Sequence, residues 1–246
     1  MLYLDAPLPR YVMIGLLGLW ALLLFGGFLL GSNSESHRMP VWTRMASSLI
    51  LVAAGWGWFW LSRGSVIRPF PLFIALGMTC GLLGDLILAG LLPGGRQVLA
   101  GMLSFGIGHV LYSVGIWQFG SRNGLDAAAP RLGAFILWLL IGLIGWYFVI
   151  YRGQDATTLH WAALPYALLL ASTAGAAAGL AVQSSLFMPL ALGAALFLLS
   201  DLILAAELFN GMSFRSIGDV IWLTYGPAQM LIVYAIGAAL RWSSIS

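Results

Sequence analysis

Apolar segments of about twenty residues recur along the whole chain and leave little room for a water-soluble fold. A helix of roughly 20 residues spans the ~30 Å hydrocarbon core of a bilayer. Only 8% of the 246 residues are charged, against roughly 25% in soluble domains, so lipid must cover most of the surface. The sequence therefore predicts an all-α membrane protein with about eight transmembrane helices in one integral membrane domain, residues 1–246. The predicted helices are 11–31, 42–61, 70–92, 98–117, 132–151, 161–182, 186–208 and 220–240.

The charge pattern limits the partners that such a chain can have. All eleven basic residues are arginines, and no basic run indicates nucleic-acid binding. We interpret the arginines as loop and headgroup-level residues, one of which could hold a lipid phosphate. No phosphate-binding or dinucleotide-binding glycine motif and no zinc-ligand spacing occurs, so no metal or organic cofactor is predicted. The absence of lysine is typical of a GC-rich genome, and we expect a bacterial cytoplasmic membrane protein. The arginines divide almost evenly between the two sides, which leaves membrane orientation open, and nothing in the sequence indicates the oligomeric state.

An identical five-residue string occurs in the third and seventh predicted helices. Residues 85–89 and residues 201–205 both read DLILA, 116 residues apart. The same offset carries the first, second and fourth helices onto the fifth, sixth and eighth. The sequence therefore predicts two four-helix repeats of the same topology, about 11–117 and 132–240, related by an axis along the membrane normal.

Each repeated string begins with an aspartate inside an apolar helix. Asp85 and Asp201 each lie seven residues before the predicted helix end, roughly 10 Å below the membrane surface. An ionised aspartate at a helix centre costs ~2.5–3.5 kcal/mol on insertion scales, so such residues usually face a cavity or a partner. We predict Asp85 and Asp201 as catalytic residues; the alternative is that they link helices as neutral hydrogen-bonding groups. Asp219, at the start of the last helix, is expected to cap it.

The fourth and eighth helices supply polar residues at equivalent repeat positions. His109 and Ser113 share one helix face, with Tyr112 beside them, and Tyr225 and Gln229 share a face of the last helix. The repeat offset relates His109 to Tyr225 and Ser113 to Gln229. We therefore predict that these five residues bind or position substrate in a cavity shared with the two aspartates.

Four motifs carry a resemblance to a known family. In chain order they are GLLGDLIL, FGIGHVLY, FLLSDLIL and LTYGPAQML. Together they resemble the YhhN-like family, which includes the lysoplasmalogenases, over roughly residues 38–240. Tyr166, after Pro165, is similar to a further family tyrosine. The resemblance implies hydrolysis of the vinyl ether bond of lysoplasmalogen, a single-chain alkenyl glycerophospholipid, by water and without a cofactor. The products would be a fatty aldehyde and glycerophosphoethanolamine or glycerophosphocholine, and the headgroup preference stays open.

Paired carboxyl groups suit this reaction. Vinyl ether hydrolysis needs a proton delivered to the alkene carbon and water added to the neighbouring carbon. One carboxylic acid can give the proton while a second carboxylate stabilises the cation and activates water, as in glycosidases.

Two other functions fit parts of the pattern. A proton-coupled transporter would also use intramembrane acids within parallel repeats, and an assembly protein would need only the helices.

Overall fold

The computed structural model describes residues 7–32 and 37–245, and these fold into eight long helices without a strand. Seven of the eight are long and apolar enough to cross a membrane. The exception is α2, whose first turns contain Arg44, Ser47 and Ser48. The protein is therefore a multi-pass integral membrane protein. The helices are α1 (Pro7–Leu30), α2 (Val41–Leu61), α3 (Pro69–Leu88), α4 (Val98–Arg122), α5 (Ala128–Trp146), α6 (Thr158–Gln183), α7 (Met188–Asn210) and α8 (Ile217–Ile245).

The predicted end of the third helix is wrong, and the error changes the place of Asp85. Helix α3 ends at Leu88 rather than at residue 92, because Gly90 adopts a left-handed conformation with φ of 71°. The amide N–H groups of Gly90 and Leu91 bond back to Ile87 and Leu86, as at many helix C-termini. Asp85 thus lies in the last turn of α3, whereas Asp201 lies well inside α7.

Helices that follow one another along the chain pack together, except α4 and α5, and the halves of the chain meet mainly through two further pairs. Helix α4 packs on α6, and α2 packs on α8. Helices α6 and α8 are the most buried of the candidate spans, whereas α1 and α5 have the least buried surfaces. The polar side chains described below lie where α8 meets α2, α3 and α7, and where α6 meets α4 and α7. The division into two repeats stays a prediction.

The contact between α3 and α4 depends on glycines. A Cβ atom added at Gly77 would lie 2.3 Å from Cε1 of Tyr112, and one added at Gly108 would lie 3.0 Å from the backbone oxygen of Gly77. Farther along α3, a Cβ atom at Gly81 would lie 2.7 Å from Nε2 of Gln229. Small residues permit this close helix packing in membranes, and here they make room for Tyr112 and Gln229.

Asp219 does not cap α8, contrary to expectation. The helix begins at Ile217, so Asp219 already lies within its first turn. Its carboxylate instead accepts hydrogen bonds from the backbone N–H groups of Arg38 at 2.7 Å and Met39 at 3.1 Å. These N–H groups precede α2, and the two bonds link the start of α2 to the start of α8.

Candidate functional site

A cavity of about 450 Å³ opens at the end of the bundle where α2, α4, α6 and α8 begin. This volume lies within the range of roughly 300–1,000 Å³ that is usual for small-molecule sites. Most of the wall is apolar, and it includes Met102, Phe105, Leu170 and Leu198. The cavity can therefore accept an apolar chain. Its polar and charged wall residues are His37, Arg44, Asp85, Arg96, Tyr166, Ser200, Asp201, Glu207 and Tyr225.

Asp85 enters the cavity from the last turn of α3 and is 5% exposed. The Ser48 hydroxyl, from α2, donates a hydrogen bond of 2.6 Å to Oδ2 of Asp85. The hydroxyl of Tyr225, from α8, lies beside the same carboxyl group. Since three helices meet at this group, its position depends on their packing. The orientation of the Asp85 carboxyl is therefore a tertiary feature.

Asp201 enters the same cavity from α7. The Tyr166 hydroxyl, from α6, donates a short hydrogen bond to Oδ2 of Asp201. The two aspartates are close enough for their charges to interact. Each carboxyl thus receives a hydroxyl donor from the helix before its own, from α2 for Asp85 and from α6 for Asp201. This arrangement brings two acids with different neighbours to one enclosed space.

A chain of hydrogen bonds leads from α4 to the cavity. The Tyr112 hydroxyl donates to Oε1 of Gln229 at 3.0 Å, and Nε2 of Gln229 donates to the Tyr225 hydroxyl oxygen at 3.0 Å. Because the Tyr225 oxygen accepts the amide N–H, the single Tyr225 proton is left to point elsewhere. The Asp85 carboxyl is the neighbouring acceptor. Of these three residues, Tyr225 lines the cavity, and Tyr112 and Gln229 are fully buried behind it.

His109 and Ser113 are not part of the cavity wall. Nδ1 of His109 lies 2.9 Å from the Thr173 hydroxyl oxygen, which is also 3.0 Å from the Ser113 hydroxyl oxygen. The His109 ring packs edge-on against Phe197, with the ring centroids 4.4 Å apart. These contacts link α4 to α6 and α7. A substrate-positioning role for His109 and Ser113 stays a prediction, and in this structure it would act through other residues.

Sequence reasoning missed two residues at the site. Ser48 was one of several small residues in α2, and no spacing related it to Asp85. Arg44 was interpreted as a loop or headgroup-level residue, although it lies in the first turn of α2 and lines the cavity. For both residues, the only signal in the sequence was a polar side chain within an apolar helix. The groups that Ser48 and Arg44 contact could not be predicted from it.

No metal centre is indicated by the described part of the chain. Within residues 7–32 and 37–245, no group of three or more His, Cys, Asp or Glu side chains is arranged to hold a metal ion. The donors that surround the two aspartates are instead hydroxyl groups. Carboxyl groups with hydroxyl donors can transfer protons and form hydrogen bonds to a substrate.

Comparison with known proteins identifies one family. The YhhN family model matches residues 39–236, which is most of the chain. The match includes α2 to α7 and most of α8, and so contains all the side chains described at the cavity except His37. No curated protein and no solved structure gives a significant match.

Proposed function

We propose, from the premise that this chain belongs to the YhhN family, that it is a membrane-embedded hydrolase of the vinyl ether bond of lysophospholipids. The observation that carries the proposal is the meeting of Asp85 and Asp201 in one cavity. The cavity has an apolar wall for a single acyl-type chain and charged residues for a headgroup. A substrate with one chain and a polar end fits that distribution.

The proposed reaction begins with proton transfer to carbon. A carboxylic acid gives its proton to the second alkenyl carbon, and the positive charge develops on the first alkenyl carbon and its ether oxygen. Water then adds to the first carbon and loses a proton to the other carboxylate. As the resulting hemiacetal breaks its bond to the glycerol oxygen, the second carboxyl group returns its proton to that oxygen. The hemiacetal hydroxyl gives its proton to the first carboxylate, so both carboxyl groups return to their starting states. The products are a fatty aldehyde and a glycerophospho-headgroup, and one water is consumed.

The neighbours of the two acids favour different roles in this reaction. Asp85 receives the Ser48 hydroxyl, lies beside the Tyr225 hydroxyl and feels the charge of Arg44. We assign to Asp85 the carboxylate role, in which it stabilises the cation and accepts a proton from water. Asp201 receives the Tyr166 hydroxyl, and we assign to it the delivery of the first proton. Tyr112 and Gln229 orient Tyr225 through the hydrogen bonds described above.

The direct test is aldehyde release from lysoplasmalogen by protein purified in a non-ionic detergent. Asp85→Asn and Asp201→Asn should each lower the rate at least about 100-fold, the usual contribution of a general acid or base. The matched control is Asp126→Asn, because Asp126 is exposed in the loop between α4 and α5, away from the cavity. Asp126→Asn should keep the wild-type rate.

Isotopes test the bond-making steps. In D₂O the aldehyde should carry one deuterium on the carbon next to the carbonyl. In H₂¹⁸O the released headgroup should contain no ¹⁸O, because its oxygen comes from the ether. If no aldehyde forms and proteoliposomes instead take up a solute in a way that requires Asp85 and Asp201, the protein is a transporter and the hydrolase proposal is wrong.

A further inference from the structure

Arg44 has a buried guanidinium nitrogen with no hydrogen-bond partner among the described residues. Its Nε atom is inaccessible to solvent and unbonded. The guanidinium carbon lies 5.5 Å from the ring centroid of Trp222, on α8. Both residues line the cavity. The aromatic ring holds the guanidinium in place by a cation–π contact. Nε is enclosed by protein, so a ligand in the cavity would meet the two terminal NH₂ groups, which form no hydrogen bond with the described residues.

The two acids whose charges act on Arg44 form their hydrogen bonds with other groups. Arg44 is close enough to Asp219 and Asp85 for its charge to interact with theirs. However, both carboxylate oxygens of Asp219 accept backbone N–H groups, and Oδ2 of Asp85 accepts the Ser48 hydroxyl. A guanidinium has five N–H donors in a planar fork. Arg44 therefore presents a cation and several donors to the cavity.

We propose that Arg44 binds the phosphate of an amphiphile whose single chain occupies the apolar part of the cavity. This inference rests on the proposed function and names a specificity residue for it. A guanidinium binds phosphate through paired N–H bonds. Arg96, exposed before α4 and also part of the cavity wall, adds a second positive charge.

The distance between the phosphate and the vinyl ether in a lysophospholipid agrees with a phosphate bound at Arg44. Five bonds separate its phosphorus atom from the vinyl ether oxygen, and an extended chain advances about 1.2 Å per bond. The phosphate therefore lies roughly 6 Å from the reacting atoms. Arg44 lies in the first turn of α2, and Ser48, one turn farther along, bonds Asp85. One turn of helix advances ~5.4 Å, so a phosphate at Arg44 places the ether near Asp85.

Glu207, on α7, also lines the cavity. A carboxylate in the wall disfavours a ligand that carries a large negative charge, and it attracts an ammonium group. A zwitterionic headgroup could place its phosphate against Arg44 and Arg96 and its ammonium group against Glu207.

Ligand binding tests the inference independently of hydrolysis. The probes are 1-O-hexadecyl-lysophosphocholine, which has no vinyl ether to cleave, and 1-O-hexadecylglycerol, which lacks the phosphate. Calorimetric titration in a non-ionic detergent should show that wild-type protein binds the phosphate-bearing lipid at least about tenfold more tightly. Arg44→Gln should remove this difference by weakening only the phosphate-bearing lipid, and Arg44→Lys should keep part of it.

The control variant is Arg63→Gln. Arg63 lies just beyond the opposite end of α2, is exposed, and stacks over Trp60 at 5.2 Å much as Arg44 stacks over Trp222. It should bind both lipids as wild type does. Equal weakening of both lipids by Arg44→Gln would show that Arg44 only balances Asp85 and Asp219, and would overturn the inference. Displacement of the lipid by an equal concentration of inorganic phosphate would also overturn it, by showing a site for free phosphate.

These results stay separate from the test of the function. If wild-type protein releases no aldehyde but still prefers the phosphate-bearing lipid, the hydrolase proposal is rejected and the phosphate site is kept. The converse, hydrolysis by wild type without a phosphate preference, rejects the site alone. Thermal unfolding of each variant without lipid verifies that the variant is folded. If Arg44→Gln is not folded, the lipid preference is measured with Arg44→Lys instead.

Discussion

Removal of one hydroxyl from α2 tests whether the orientation of Asp85 matters for catalysis. Ser48 is 3% exposed and donates a hydrogen bond of 2.6 Å to Oδ2 of Asp85. Ser48→Ala deletes this donor and little else, because alanine keeps the helix and removes one oxygen atom. The Asp85 carboxyl then keeps its place on α3 but loses one of the groups that hold it.

The expected magnitude follows from the type of bond. A hydrogen bond to a charged group contributes about 1.5–3 kcal/mol, and each 1.4 kcal/mol is a tenfold change in rate. If Asp85 acts as a carboxylate in the transition state, kcat/KM should fall about 10- to 100-fold. The loss should appear mainly in kcat, because Ser48 contacts the catalytic group rather than the chain of the substrate.

The assay is steady-state aldehyde release, with Ser47→Ala as the matched control. Ser47 is the next residue of the same helix and is 1% exposed, but its hydroxyl donates to the backbone oxygen of Arg44 at 2.7 Å. Its loss should therefore change kcat less than threefold, which is the scale of a local hydrogen bond of about 0.5 kcal/mol. Wild-type kcat in Ser48→Ala, or equal loss in both variants, would refute the reasoning.

Two further variants test the opposite wall and the helix packing. Tyr166→Phe keeps the ring and removes the hydroxyl that bonds Asp201, so kcat should fall about tenfold or more with little change in thermal stability; an unchanged kcat would contradict the role given to Asp201. Gly77→Ala places a Cβ atom 2.3 Å from Cε1 of Tyr112, so thermal unfolding should show a loss of about 1–3 kcal/mol. Gly133→Ala, which meets nothing within 4 Å, should unfold as wild type does, and equal stability of the two variants would show that α3 and α4 separate easily.

Much of the fold was predictable from the linear pattern. Apolar runs of the right length give the number of helices, since a backbone in lipid must satisfy its own hydrogen bonds. The identity of the central acids was also predictable, because a charge in such a run is costly and needs a reason. Asp85 and Asp201 were found in this way. Their occurrence in one cavity agrees with that interpretation.

Helix ends and loop contacts were less predictable. The apolar residues after Leu88 read as a continuation of α3, but a left-handed glycine ends the helix there. Asp219 looked like a cap because it follows a glycine at a helix start. Its carboxylate instead binds N–H groups some 180 residues earlier in the chain. At the end of α3, the left-handed conformation of Gly90 outweighs the apolar pattern. At Asp219, backbone N–H groups from a distant part of the chain take the place of the expected cap interaction.

The sequence by itself determined that the chain crosses the membrane several times and carries two aspartates in apolar helices, because hydropathy and the cost of buried charge depend only on which residues are present. The tertiary structure alone decided which groups touch these acids. Ser48 and Tyr166 reach them from neighbouring helices, and Gln229 joins Tyr112 to Tyr225. A hydrogen bond acts over about 3 Å, and no periodicity along a helix specifies which face of another helix comes within that distance.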